Sequence, residues 1–114
     1  MPFIEIKTSK KLTPDSEESI KTALGQAISV FPGKSESWLM CSIADGQHMW
    51  FKGNNASDSA FAEVKLFGPV DPASAERFTA RLCDILETHA SVNADRIYVR
   101  YTGGNLWGWN GANF

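Results

Sequence analysis

The chain has 114 residues, 43% of them apolar and 21% charged, with a formal net charge of −2. That length fits one domain with a real core. The slightly acidic balance excludes an electrostatic nucleic-acid binder, which carries a basic excess or stripe. No apolar run approaches the roughly 18 residues a bilayer requires. The N-terminus also lacks the charged-then-apolar order of a signal peptide, so a cytoplasmic protein without membrane contact is expected.

The first element is "FIEIK" (3–7), which alternates with a period of two: Phe3, Glu5 and Lys7 on one side, Ile4 and Ile6 on the other. A proline stands at its head, which alone suggests an edge strand. In "LTPDSEES", Thr13 can cap, Pro14 suits the first helical position, and Asp15, Glu17 and Glu18 complement the helix dipole. Ile20, Ala23, Leu24, Ala27, Ile28 and Phe31 keep helical spacing, predicting a helix over about 14–31 that Pro32 and Gly33 stop. "WLMCSIA" (38–44) reads as a buried strand. An insert follows, "DGQHMWFKGNN" (45–55), and then the strand-like "FAEVKLF" (61–67). Asp71-Pro72 opens a second helix with its stripe at Ala75, Phe78, Leu82, Ile85, Leu86 and His89. "RIYVRY" (96–101) is a further strand. The tail "TGGNLWGWNGANF" (102–114) sets two tryptophans and a phenylalanine among glycines, and packing on a neighbouring subunit is expected for it.

The second half repeats the first at one offset. Glu5-Ile6-Lys7 falls on Glu63-Val64-Lys65, Pro14 on Pro72, Leu24 on Leu82, and Leu39-Met40-Cys41 on Ile97-Tyr98-Val99, each 58 positions later. Two βαβ units result, over about 2–44 and 60–101, within a single domain spanning 1–114. The expected fold is α/β (α+β), a four-stranded mixed sheet with both helices on one face. The other face carries Phe3, Met40, Phe61 and Tyr98, with Trp38 on the same parity, and no element is left to cover it. Association between copies is therefore expected.

Several motifs do not hold up. "GKS" (33–35) follows a helix and has Ile28 where a phosphate loop needs glycine. The sequon "NAS" (55–57) has no secretory signal with it. His48 and His89 have no partner at metal or triad spacing. Cys41 and Cys83 sit in apolar segments as small core residues, and no Cys-x-x-Cys exists to support redox chemistry. On the residues alone, Lys34 is a solvated loop lysine. Tyr98 and Arg100 share a sheet face, which reads as a polar, solvent-facing one.

Pro2, Gly33-Lys34, "FKG" (51–53), "EVKLFG" (63–68), "DRIYV" (95–99) and "GWNGANF" (108–114), in this order and spacing, resemble the macrophage migration inhibitory factor family of the tautomerase superfamily. The resemblance covers the whole chain. It implies a homotrimer with sites between subunits and a keto–enol tautomerase of the phenylpyruvate type, with no metal or cofactor. In that family the initiator methionine is removed and the exposed proline is the general base; here that role falls on Pro2. Removal would make the ring nitrogen a secondary amine, and burial would lower its pKa toward neutrality. Lys34 matches the lysine that binds the substrate carboxylate, and Phe67 matches an apolar pocket position. Tyr98 matches the tyrosine supplied by the adjacent subunit. Trp107, Trp109 and Phe114 match pocket-wall positions. The implied substrate is a small aromatic or acidic keto/enol compound.

Three departures stand out. Arg100 replaces an asparagine of the mammalian members and adds a cationic fork suited to a carboxylate. The Cys-x-x-Cys of the mammalian cytokine is absent, "SDSAFAEV" standing in its place. The loop before "LWGWN" is two residues shorter. The alternative function is a cytokine mimic or non-catalytic trimer that binds a protein receptor, and the family resemblance also allows leaderless secretion.

Overall fold

The computed structural model describes residues 1–114. Both helices start where the caps predict. Thr13 Oγ1 accepts from Ser16 N–H, and helix α1 runs Pro14–Ala27. Asp71 accepts from Ser74 N–H, and α2 runs Pro72–Ala90. Strand β1 is Pro2–Thr8, β2 is Met40–Ala44, β3 is Ala60–Phe67 and β4 is Ile97–Gly104. They form one sheet in the order β2-β1-β3-β4. The β1/β2 and β3/β4 pairs are parallel, and the central β1/β3 pair is antiparallel.

In the central pair Pro2 lies opposite Leu66, Glu5 opposite Glu63 and Thr8 opposite Ala60. Glu63 is also the residue 58 positions after Glu5. The sequence repeat therefore coincides with the middle of the register, and an approximate two-fold axis passes between the two glutamates.

Alternation then sorts the side chains. Ile4 and Ile6 of β1 and Ala62, Val64 and Leu66 of β3 point to one face and are fully buried against Ile20 and Leu24 of α1 and Phe78, Leu82 and Leu86 of α2. The opposite parity (Phe3, Glu5, Lys7, Phe61, Glu63, Lys65, Tyr98, Arg100) stays half-buried or exposed, with no helix laid over it. The layout expected from the sequence, a four-stranded mixed sheet with two helices on one face, is the one observed.

Four local readings need correction. The strand led by proline is not an edge: β1 lies between β2 and β3, and Pro2 is tolerated there because it is the first residue of the strand. Helix α1 ends at Ala27 rather than near 31. A 3₁₀ turn spans Ile28–Val30, and Phe31 is extended (φ −84°, ψ 122°) because it precedes Pro32. Trp38 is not in a strand: Glu36–Trp38 is a 3₁₀ turn and β2 starts at Met40. β2 itself is not buried, since it is an edge strand, and Met40 is 67% exposed.

One element was not foreseen. β5 (Gly108–Trp109) and β6 (Ala112–Asn113) form a hairpin. Asn110 and Gly111 both have positive φ at its tip (53° and 85°), a placement that Asn-Gly favours.

Phe78 shows how much the helix layer matters. Its ring is fully buried, with its centroid 5.3 Å from that of Phe31. Phe78→Ala is expected to lower unfolding stability by about 3–5 kcal/mol, measured by urea denaturation with an unchanged slope.

Candidate active site at the head of the first strand

The register fixes what surrounds the N-terminus. Pro2 is buried opposite Leu66, so Phe67 lies beside Met1. The Phe67 N–H donates to the Met1 carbonyl at 3.0 Å. The Phe67 carbonyl accepts from Lys34 Nζ at 2.8 Å, and that ammonium stands 5.9 Å from the Phe67 ring centroid. Lys34 reaches this point because the chain turns sharply after α1. Gly33 has φ 78°, and Lys34 N–H donates to the Phe31 carbonyl.

Aromatic side chains wall the same corner. Phe67 meets Phe114 with ring centroids 4.9 Å apart, and Trp38 meets Trp109 edge-on at 5.2 Å. Met1, Trp38, Trp109, Ala112 and Phe114 line a cleft of about 310 Å³, together with Asn110 and Asn113. A larger hollow of about 480 Å³ lies between the helices, but it is lined by polar side chains such as Asp15, Glu18, Gln26 and His89 and is an open surface groove. The cleft at Met1 sets an amine among apolar walls. The Lys34 ammonium stands in a separate hollow of about 270 Å³ that Phe31, Leu66 and Phe67 also line. Apolar walls with a few polar groups are the usual make-up of a small-molecule site.

Electrostatics there favour a neutral amine. The Met1 α-amine is held below its ordinary value of 8.0, first because burial disfavours the charged form and second because the Lys34 ammonium is near. Both cysteines are free, and burial pushes both thiols up, leaving them protonated near neutral pH. No three His, Cys, Asp or Glu side chains converge as a metal site would require.

The structure thus gathers Pro2, Lys34, Phe67, Trp109 and Phe114 in one corner. Trp107 lies to the side, in a hollow with Lys65, Thr102 and Leu106, and is tied to the corner through its carbonyl, which accepts from Phe114 N–H at 3.2 Å. Tyr98 and Arg100 are elsewhere. Pro2 is level with Leu66 and Gly103, whereas Tyr98 is level with Phe61 and Lys7. At ~3.3 Å per residue that separates Tyr98 from Pro2 by roughly 16 Å along the strands. Arg100 is level with Glu63 on the uncovered face and has no ion pair; the chain's one salt bridge joins Lys21 and Glu18. The sequence reading missed Trp38 as part of this corner. Its four-residue distance from Lys34 was visible, but the strand assignment concealed it.

The two causes acting on the Met1 amine can be separated. Lys34→Met is expected to raise the amine pKa but not to restore it fully, because burial is the larger cause. An NMR titration of the N-terminal amine checks this, and an unchanged or lowered value would contradict it.

Residues 1–114 match the family model "Macrophage migration inhibitory factor (MIF)" over the full chain. Macrophage migration inhibitory factor of Xenopus laevis is 27% identical over 118 residues, covering 100% of this chain and 99% of that protein. The homolog of Trichinella spiralis is 28% identical, with 100% of each chain covered. Among solved structures, Leishmania major MIF2 superposes with a TM-score of 0.92 at 28% identity, covering 100% of this chain and 97% of that one. The homologue from Prochlorococcus marinus gives 0.81 at 29% identity, with 98% of each covered.

Proposed function

The chain belongs to the macrophage migration inhibitory factor family, and on that footing we propose that it is a keto–enol tautomerase of the phenylpyruvate type. Its general base is the Pro2 nitrogen once Met1 is removed. The observation that carries this reading is the environment of Met1: an amine depressed by burial and by Lys34, in a cleft walled by Trp38, Trp109 and Phe114. The Pro2 nitrogen lies one residue deeper in the same corner. As a free secondary amine it takes the proton from the carbon next to the keto group and delivers it to the keto oxygen to give the enol. In the reverse direction the enol O–H proton is taken up and a proton is placed on that carbon. A base of this kind works best when its pKa lies near the operating pH.

Lys34 has three N–H donors and spends one on the Phe67 carbonyl. The remaining donors and the positive charge suit the carboxylate of a 2-oxo acid. Loss of Met1 also frees the Phe67 N–H, now held by the Met1 carbonyl. The processed site then offers an oriented backbone donor beside the base. Retained, Met1 makes the proline nitrogen a tertiary amide without basicity and stands in the cleft wall beside it.

The uncovered sheet face and the position of Tyr98 and Arg100 support a homotrimer in which these two residues enter a neighbour's site. There Tyr98 contacts the substrate and Arg100 adds a second cation for its acidic group. A non-catalytic receptor-binding trimer is the second reading, favoured by Trp50 in the 45–55 insert and Leu106 in the tail, which are 64% and 94% exposed.

Enol-to-keto conversion of phenylpyruvate distinguishes the two. Chain lacking Met1 is expected to be active, and Pro2→Ala to lower kcat/KM by about 10²-fold or more, the scale of a lost general base. Arg100→Asn is expected to raise KM in the same assay. Equal rates for wild type and Pro2→Ala would reject Pro2 as the base, and an unchanged KM would remove Arg100 from binding.

A further inference from the structure

Tyr98 stands on the open face of the sheet with 61% of its surface exposed, so β4 alone does not fix its ring. Its ring instead meets Phe51 edge-on, with centroids 5.1 Å apart at 83°. Phe51 comes from the insert between the two βαβ units. There it closes a tight hairpin with Asn54: Phe51 N–H donates to the Asn54 carbonyl at 2.9 Å, and Asn54 N–H returns the bond at 3.1 Å. Lys52 and Gly53 form the tip with φ of 53° and 80°.

This hairpin is held to the start of β4 by one side chain. Arg96 Nη2 donates to the Asn54 carbonyl at 3.1 Å, and Nη1 lies 3.5 Å from Asn54 Oδ1. Nε donates to Ser59 Oγ at 3.1 Å and to the Asp58 carbonyl at 3.2 Å. The guanidinium carbon also stands 5.4 Å from the Phe51 ring centroid. A planar fork that bonds three oxygens and a carboxamide while its charge stands over an aromatic ring is an arrangement lysine cannot copy. The chain of contacts runs from Arg96 to Phe51 to Tyr98.

We propose that Arg96 and Phe51 are positioning residues: Arg96 clamps the 51–54 hairpin, and the edge of Phe51 holds the Tyr98 ring in the orientation that receives an aromatic keto/enol acid. The inference rests on the reading above of Tyr98 as a substrate-contacting residue. Neither Arg96 nor Phe51 touches substrate. Their effect falls on binding, because a ring free to rotate must be ordered by each substrate molecule.

The test is steady-state kinetics with phenylpyruvate on full chain lacking Met1, comparing Phe51→Leu, Phe51→Tyr, Arg96→Lys, Tyr98→Ala and the Phe51→Leu/Tyr98→Ala double variant. Phe51→Leu is expected to raise KM by about threefold or more while kcat stays within about twofold, the pattern of lost binding rather than lost chemistry. Phe51→Tyr keeps the ring and returns KM to the wild-type value. On the Tyr98→Ala background Phe51→Leu adds less than about twofold, as expected for residues acting as one unit. Arg96→Lys shifts KM in the same direction and carries the test if Phe51→Leu does not fold.

An unchanged KM in Phe51→Leu or, where that variant does not fold, in Arg96→Lys, beside a raised KM in Tyr98→Ala, overturns the inference and leaves the functional reading standing. Equal effects of Phe51→Leu with and without Tyr98 overturn it too. A Tyr98→Ala variant with wild-type KM overturns both the inference and the role given to Tyr98, while leaving Pro2 as a base untouched.

Discussion

The antiparallel pairing of β1 with β3 is the constraint on which the rest of the molecule depends. Its register, centred on Glu5 and Glu63, relates the two βαβ units and turns Ile4, Ile6, Ala62, Val64 and Leu66 toward the helices. A slip of one residue would send that apolar set to the open face and put glutamates and lysines against the core. The same register brings the end of β3 beside the start of β1. Phe67 can then hold the Met1 carbonyl with its N–H and the Lys34 ammonium with its carbonyl. The core and the candidate site thus share one cause.

One consequence is a division of labour along the sheet. The end with Pro2 holds the amine, the lysine and the aromatic walls. Tyr98 stands toward the far end and Arg100 at mid-sheet, both on the uncovered side, where one copy of the chain does not bring them to its own Pro2. Like Phe3, Met40 and Phe61, these residues lie on the face that a fold with only two helices leaves without a covering helix. In the proposed assembly that shortage of covering elements joins neighbouring chains and completes each site.

Much of this was legible in the sequence because it is set locally or by period. The Thr13-Pro14 and Asp71-Pro72 helix starts, the 58-residue repeat and the inward faces of both helices follow from capping, periodicity and alternation. What failed depended on contacts distant in the chain. Trp38 has strand-like neighbours, yet it turns out of the sheet in a 3₁₀ turn and its ring meets Trp109. The apolar run at 38–44 reads as buried, but whether a strand is central or at an edge depends on the order of all four. Lys34 has the composition of a solvated loop residue, and only the family resemblance pointed to a site there. Its bond to the Phe67 carbonyl joins positions that no local pattern links. Arg96 lay within a recognised motif, but its grip on residues 54–59 is visible only in three dimensions.

The central claim is that the Pro2 nitrogen, freed of Met1, is the proton-transferring base at neutral pH. The most direct measurement is a titration of that nitrogen by ¹⁵N NMR in chain lacking Met1, set beside the pH dependence of kcat/KM for phenylpyruvate. Burial and the Lys34 ammonium lower the Met1 amine, and the same two causes are expected to hold the freed Pro2 nitrogen below the ordinary α-amino range of about 7.7–8.0. The account predicts that kcat/KM rises with pH through that same lowered value. A Pro2 nitrogen titrating at or above the ordinary range, or a rate that rises at a different pH from the nitrogen, would contradict it.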